Sequence, residues 1–224
     1  MKAWMSLLKT DLRLFTRSPE NIWAMLLFGL LVLVVFNFSL PAQQAQSIYM
    51  GSSALLLSLL FSSVLGLPQL QHHHDSVRFL PQLVTGQLTS VGYFWEKFTA
   101  GLLLMVISSL VFYPATIVMF SFPASERLLK GAGFLMIGII GIAVVLTIGS
   151  ALTVGRESWL LLVLVFPLLL PVVLSTARLI EGAVSSRTAI PDAWAHLLIA
   201  YDLLMVFGSW FLSEFLWEDL PEFS

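Results

Sequence analysis

Long runs without a charged residue are the feature of this sequence that most restricts its fold. A helix needs about 20 apolar residues to cross the roughly 30 Å of hydrocarbon in a bilayer. Five uncharged runs approach or exceed that length, and a sixth is interrupted by Asp202 and Glu214; the six cover residues 22–40, 48–67, 98–120, 131–154, 159–177 and 194–217. The sequence therefore predicts an all-α membrane protein in which residues 1–224 form one domain with six transmembrane helices.

The charge composition excludes several other classes of protein. Charged residues make up 11% of the chain, against roughly 25% in a soluble domain. The formal net charge is −2 at pH 7, so the chain lacks the basic field that attracts nucleic acid. There is no cysteine, which excludes disulfides, thiolate metal sites, cysteine nucleophiles and the covalent haem attachment of a c-type cytochrome.

Residues 1–17 predict a separate amphipathic helix that lies on the membrane surface. At about 100° per residue, basic side chains fall on one arc and large apolar side chains fall opposite. The basic residues are Lys2, Lys9, Arg13 and Arg17. Asp11 breaks the pattern because it projects among the apolar residues. It is either an acid that reaches water or a lysine, or a polar anchor to the helix bundle.

The distribution of basic residues predicts the orientation. With the N-terminus in the cytoplasm, seven of the 11 Lys and Arg residues lie on the cytoplasmic side, as the positive-inside rule favours. Both termini are then cytoplasmic, and membrane lipid surrounds the helices. Two connections are longer than a simple turn, namely a cytoplasmic segment over residues 68–97 and an outer segment over residues 178–193.

Residues 72–75 are the most conspicuous cluster of metal-ligand side chains. Imidazole and carboxylate groups bind zinc, iron and haem, and His72, His73, His74 and Asp75 follow one another directly. Consecutive side chains on a helix point about 100° apart, so they do not converge on one ion without an unusual backbone. A polar cytoplasmic loop or partner contact is the favoured interpretation, and a metal or haem role is the alternative.

Three residues inside the predicted helices are candidates for a structural or transport role. Asp202 is an ionisable group in a membrane helix, which is costly and by default a functional hypothesis. We interpret it either as a structural or interfacial acid near the outer end of the sixth helix, or as part of a polar transport path. Pro167 and Pro171 each remove a backbone donor and predict a kinked fifth helix packed inside the bundle.

The sequence lacks the motifs of an ATPase or a hydrolase. It contains no G-x-x-x-x-G-K-[ST] phosphate loop, no H-E-x-x-H and no G-x-S-x-G. We therefore predict a non-catalytic membrane subunit. Any energy from ATP must come from a partner chain.

Residues 151–174 carry a family resemblance. They read ALTVGRESWLLLVLVFPLLLPVVL and resemble the haem exporter protein B family (CcmB), the permease of bacterial cytochrome c maturation. The resemblance extends to the N-terminus, through Asp11, Leu12, Arg13, Arg17 and Ser18. Residues 71–78 depart from the family pattern, and the positions that look familiar nearby are Leu80, Gln82, Leu83 and Lys97.

The resemblance implies an ABC-2-like permease of the bacterial inner membrane. Its implied partners are a cytoplasmic ABC ATPase, further cytochrome c maturation membrane subunits and a periplasmic haem chaperone. Haem is the implied transported or handled ligand, without a permanently bound cofactor or metal.

We predict that residues 68–89 couple to the ATPase, through His72, His73, His74, Asp75, Arg78, Leu80, Gln82 and Leu83. Arg178, Glu181 and Arg187 are then candidates to meet the periplasmic partner, and Asp11, Pro167, Pro171 and Asp202 are candidates for the bundle or transport path.

Two alternatives stay open at the level of sequence. The six-helix plan is not specific to haem, so the chain fits an ABC-2-type permease that exports another amphipathic molecule. A membrane metal or haem enzyme built on residues 72–75 is the less favoured alternative.

Overall fold

The computed structural model describes residues 19–41, 47–72, 90–152, 159–185 and 192–216. Within these ranges the chain forms six α-helices and no strand; they are α1 Pro19–Ser39, α2 Ile48–His72, α3 Ser90–Met119, α4 Arg127–Leu152, α5 Trp159–Val184 and α6 Asp192–Leu216. All six are long and apolar enough to cross a membrane. The predicted all-α, six-span fold is confirmed. The predicted surface helix, residues 1–17 with Asp11, lies outside the described residues.

The helices extend into the connecting segments that the sequence predicted. Helix α2 continues to His72 and α3 begins at Ser90, so both edges of the predicted segment 68–97 are helical. Helix α5 continues to Val184, so Arg178 and Glu181 lie in a helix and not in a connection. The predicted edges were wrong because an uncharged run stops at the first charged side chain. A helix has no such limit, since its terminal turns carry charges where the chain leaves the hydrocarbon.

The connections alternate between two ends of the bundle. The last turns of α1, α3 and α5 and the first turns of α2, α4 and α6 lie at one end, which we call the three-loop end. The last turns of α2 and α4 and the first turns of α3 and α5 lie at the other, the two-loop end. Two hydrogen bonds join helix termini at the three-loop end. Asn37 Nδ2 donates to the Met119 carbonyl at 2.7 Å, and Arg127 Nη1 donates to the Ser185 carbonyl at 3.4 Å.

Helix α4 forms the centre of the bundle. It packs against α3, α5 and α6, and 67% of the residues in its apolar span are buried, against 17% in α1 and 17% in α6. Helix α1 packs on α2 and α3, whereas α6 packs on α4, α5 and α3. The two end helices of the described chain are therefore shallowly docked on a four-helix centre.

Two glycines of α4 allow its neighbours to approach closely. A Cβ at Gly138 would overlap the side chain of Thr176 in α5, and a Cβ at Gly141 would overlap the carboxyl of Asp202 in α6. Small residues at such positions let membrane helices pack backbone to backbone. The α4 sequence thus fixes where α5 and α6 come closest to it.

A tight cap ends α3 at the three-loop end. The Phe122 N–H donates to the Ile117 carbonyl at 3.0 Å, and Ser121 between them has a φ of 52°. This is the left-handed turn that commonly terminates helices. The rings of Phe120 and Phe122 then lie against Gly51 at the start of α2.

Candidate functional site

The residues predicted to couple to an ATPase belong to the two-loop end. His72 is the last residue of α2. The others lie outside the described residues; they are His73, His74, Asp75, Arg78, Leu80, Gln82 and Leu83. In the described ranges, no three His, Asp or Glu side chains are grouped so that they could hold a metal ion. The coupling assignment stays a prediction.

Two charged side chains near the start of α3 are buried at this end. Glu96 is 1% exposed and Lys97 is 5% exposed, with 3.7 Å between Glu96 Oε2 and Lys97 Nζ. The two residues are neighbours in sequence, so this ion pair forms within one helix. The uncharged run from residue 98 predicts a helix that begins there, with Lys97 in the cytoplasmic segment ahead of it. That was wrong, because the helix already begins at Ser90 and carries both charges into the bundle.

Three aromatic residues join this part of α3 to the neighbouring helices. The rings of Phe94 and Trp95 meet edge to face with centroids 5.8 Å apart, and those of Trp95 and Phe98 meet in the same way at 5.5 Å. Phe94 is buried in one cluster with Val144 and Ile148 of α4, and two residues of α6 pack on that cluster. Close-packed interiors transmit displacement rather than absorb it. A movement of the first turns of α3 would therefore reach α4 and α6.

Both predicted prolines lie inside α5. Pro171 is half-buried and Pro167 is exposed, so only Pro171 faces the bundle. Side chains bond the carbonyls around it. Tyr201 of α6 donates its hydroxyl to the Leu168 carbonyl at 2.5 Å, and Ser175 Oγ donates to the Pro171 carbonyl at 2.6 Å. Side chains thus bond carbonyls beside Pro171, whereas the carbonyl that loses its helical donor to this proline is that of Pro167.

Asp202 lies well inside α6 and is only 7% exposed. Helix α6 begins ten residues earlier, at Asp192, and buries this carboxyl against α4. Whether Asp202 is a structural acid or part of a polar transport path stays a prediction. One face of the site is Gly141, and the Val172 side chain of α5 closes another. Among the described residues, neither carboxyl oxygen has a hydrogen-bond partner.

A second polar side chain lies in the same part of the bundle. Thr176 of α5 is 0% exposed, and its Oγ1 has no hydrogen-bond partner among the residues that the structure describes. It faces Gly138, and Gly138 and Gly141 are neighbours on one side of α4. We call these four residues, Gly138, Gly141, Thr176 and Asp202, the polar seam.

The candidates for a periplasmic partner lie at the three-loop end. Arg178 Nη1 donates to Glu181 Oε2 at 3.1 Å, with the two side chains 44% and 27% exposed. The Arg178 guanidinium also stacks over the Tyr49 ring, 4.0 Å from its centroid. Both side chains are exposed enough to meet a partner, and an ion pair of this kind, worth at most about 1 kcal/mol, would oppose such a contact only weakly. Arg187 lies outside the described residues.

Sequence reasoning did not single out Glu96, Tyr201, Gly138 or Gly141 as site residues. Glu96 was hidden because the search ended helices at charges. The two glycines lie three apart, which is not the four-residue repeat of small residues that marks a helix contact in membranes. The Tyr201 contact depends on which faces of α5 and α6 meet, which no local pattern specifies.

Comparison with known proteins agrees with the six-helix architecture. A family model described as CcmB protein matches residues 2–215. No curated protein and no solved structure matches the chain. The match spans all six helices and includes residues 151–174, whose sequence resembles that family. This chain therefore belongs to the CcmB family, the haem exporter protein B family, whose members are membrane permease subunits of haem-export ABC systems.

Proposed function

We propose that this chain is the permease subunit of an ABC transporter in the bacterial inner membrane. It would act in haem export, or in releasing a loaded haem chaperone to the periplasm, during the biogenesis of c-type cytochromes. The observation that carries the proposal is the family match over residues 2–215, which covers every membrane-spanning helix. Haem is then a ligand that the complex handles and not a resident cofactor.

ATP hydrolysis belongs to a partner in this proposal. The chain has no phosphate loop, so a separate cytoplasmic ATPase must supply the energy. That ATPase would dock at the two-loop end, on the connection between α2 and α3. The cluster of Phe94 with Val144 and Ile148 of α4 supports this placement, because it joins the start of α3 to the bundle.

The three-loop end would face the periplasm. Further cytochrome c maturation subunits and the haem chaperone would meet the complex on that side or within the membrane, with Arg178, Glu181 and Arg187 as candidate contacts.

Because the chain has no cysteine, single introduced cysteines can test its orientation in the membrane directly. In intact cells a membrane-impermeant maleimide should label Glu126→Cys, which lies in the loop before α4, and should not label Glu20→Cys at the start of α1. The reverse pattern would overturn the orientation.

Co-purification from native membranes tests the partnership. An affinity-tagged chain should retain an ATP-hydrolysing subunit, and a haem absorption band should accompany the complex when the chaperone is present. Recovery of the chain with no ATPase would reject the proposal. An ATPase with a different amphipathic cargo, and no haem in any preparation, would favour the broader ABC-2 alternative.

A paired substitution tests the coupling segment. Replacing Asp75 and Arg78 together with alanine should leave the complex assembled and reduce the delivery of haem per ATP hydrolysed. The matched control replaces Glu126 and Lys130, which are exposed at the three-loop end, and should leave that ratio unchanged. Equal ratios in both double variants would reject the assignment of residues 68–89 to coupling.

A further inference from the structure

The polar seam is where buried oxygen atoms face glycine backbone in the middle of the bundle. Asp202 is 7% exposed and Thr176 is 0% exposed, and in the described structure both carboxyl oxygens and the hydroxyl have no hydrogen-bond partner. A buried polar group without a partner costs free energy that a hydrated one does not. The closed arrangement of α4, α5 and α6 is therefore less favourable at this point than an arrangement that admits water.

The two shallowly docked helices, α1 and α6, differ in the polar groups that they place against the rest of the bundle. Helix α1 is held by two hydrogen bonds, from Ser62 Oγ to the Met25 carbonyl at 3.1 Å and from Asn37 Nδ2 to the Met119 carbonyl at 2.7 Å. Helix α6 is equally shallow but buries Asp202 against α4.

The route by which a movement could reach the seam is also present. Phe94 of α3 packs in one cluster with Val144 and Ile148, and Val144 follows Gly141 by one turn of α4. On the α6 side, Met205 packs on the same cluster and follows Asp202 by one turn. The start of α3 thus contacts both helices of the seam directly beside it.

We propose that the seam between α4 and α6 is the joint at which this bundle opens to water, and that Asp202 is the hydrogen-bond acceptor it exposes. The open seam presents two carboxyl oxygens and the Thr176 hydroxyl, which suit water or another hydrogen-bond-donating group. The use of this joint in a transport cycle rests on the proposed function. The existence of the joint does not.

Labelling of a single cysteine in the isolated chain tests the joint. Leu198 lies one turn before Asp202 on the buried face of α6 and is 1% exposed, so Leu198→Cys should react slowly with a water-soluble maleimide in proteoliposomes. Adding Gly141→Ala forces a methyl group onto Asp202. This clash disfavours the closed seam and should raise the labelling rate about tenfold, which is the change in an opening equilibrium that ordinary overpacking produces. Gly208→Ala is the control, because a Cβ there meets no atom within 4 Å, and it should leave the rate unchanged.

Two substitutions at Asp202 separate a polar role from simple packing. Asp202→Ala removes the unpartnered oxygens without adding bulk against Gly141 and should lower the labelling rate of Leu198→Cys below that of the parent. Asp202→Asn keeps the shape and the polar atoms and should leave the rate close to the parent value. If Asp202 only filled space, alanine would raise the rate through the cavity that it leaves. That result, or no response to Gly141→Ala, would overturn the joint.

A final arm in the complex with its ATPase tests use of the joint. Adding ATP should raise labelling of Leu198→Cys, whereas Leu204→Cys, 64% exposed on the outer face of α6, should stay unlabelled because it faces lipid. If the isolated-chain arms respond as expected and ATP has no effect, the joint is supported and its use by an ATPase is contradicted. If no ATPase binds, the proposed function fails while the isolated-chain arms still decide the joint.

Discussion

Gly138→Ala is expected to destabilise the bundle, because α5 lies directly on this glycine. The new Cβ would overlap Thr176 Oγ1 and would lie 2.6 Å from its Cγ2 and 3.0 Å from its Cβ. Thr176 is fully buried, and a β-branched side chain has little rotamer freedom in a helix. The clash must therefore be relieved by moving α5.

The expected loss follows from two opposing terms. Overpacking a close-packed core costs about 1–3 kcal/mol, and the rigid neighbour places this site in the upper part of that range. Alanine regains about 1 kcal/mol over glycine in a helix interior. We expect the free energy of unfolding to fall by about 1–2 kcal/mol, measured by tryptophan fluorescence during unfolding in mixed micelles.

Two further variants check the cause. Gly133→Ala, on the same helix, meets no atom within 4 Å and should be neutral or stabilising. Thr176→Ala should restore most of the stability lost in Gly138→Ala, because it removes the two nearest atoms. If Gly138→Ala is as stable as Gly133→Ala, or if Thr176→Ala gives no rescue, the close approach of α4 and α5 at this position is refuted.

Three other substitutions have definite expected outcomes in the same unfolding assay. Tyr201→Phe should cost about 0.5–1.5 kcal/mol, because it removes the hydrogen bond to the Leu168 carbonyl; an unchanged stability would contradict that bond. Ser121→Gly should stabilise by up to about 1 kcal/mol, since the left-handed conformation at φ 52° suits glycine, whereas Ser125→Gly, where φ is not positive, should not. Asn37→Leu should cost about 1 kcal/mol by removing a donor from the end of α3, and no loss would show that the two helix ends are not tied.

The spans could be predicted from the sequence because the bilayer sets their length. Uncharged runs located all six helices, and the helix from Trp159 was predicted at its starting residue. The predicted boundary is wrong where charged residues are buried. Glu96 and Lys97 lie inside α3, so a search that stops at charges began this helix eight residues too late, at residue 98 instead of Ser90.

The site could be predicted only in part. The position of Asp202 in an apolar run shows that its charge is costly. Its burial could not be predicted, because the burial depends on the contact of α6 with α4 at Gly141. The contacts of Tyr201 with α5 and of Phe94 with α4 join residues far apart in sequence, and packing decides them. Helices that are apolar on every side, as α4 is, do not reveal which face turns inward.

Loss of haem from c-type cytochromes tests the account most directly. A bacterium that depends on this chain should, after its deletion, lack covalently bound haem in its periplasmic c-type cytochromes, while b-type cytochromes and total cellular haem are unaffected. Plasmid-borne wild-type chain should restore the haem stain. A deletion strain with normal c-type cytochromes, and no second copy of the permease, would contradict the proposed role in haem delivery.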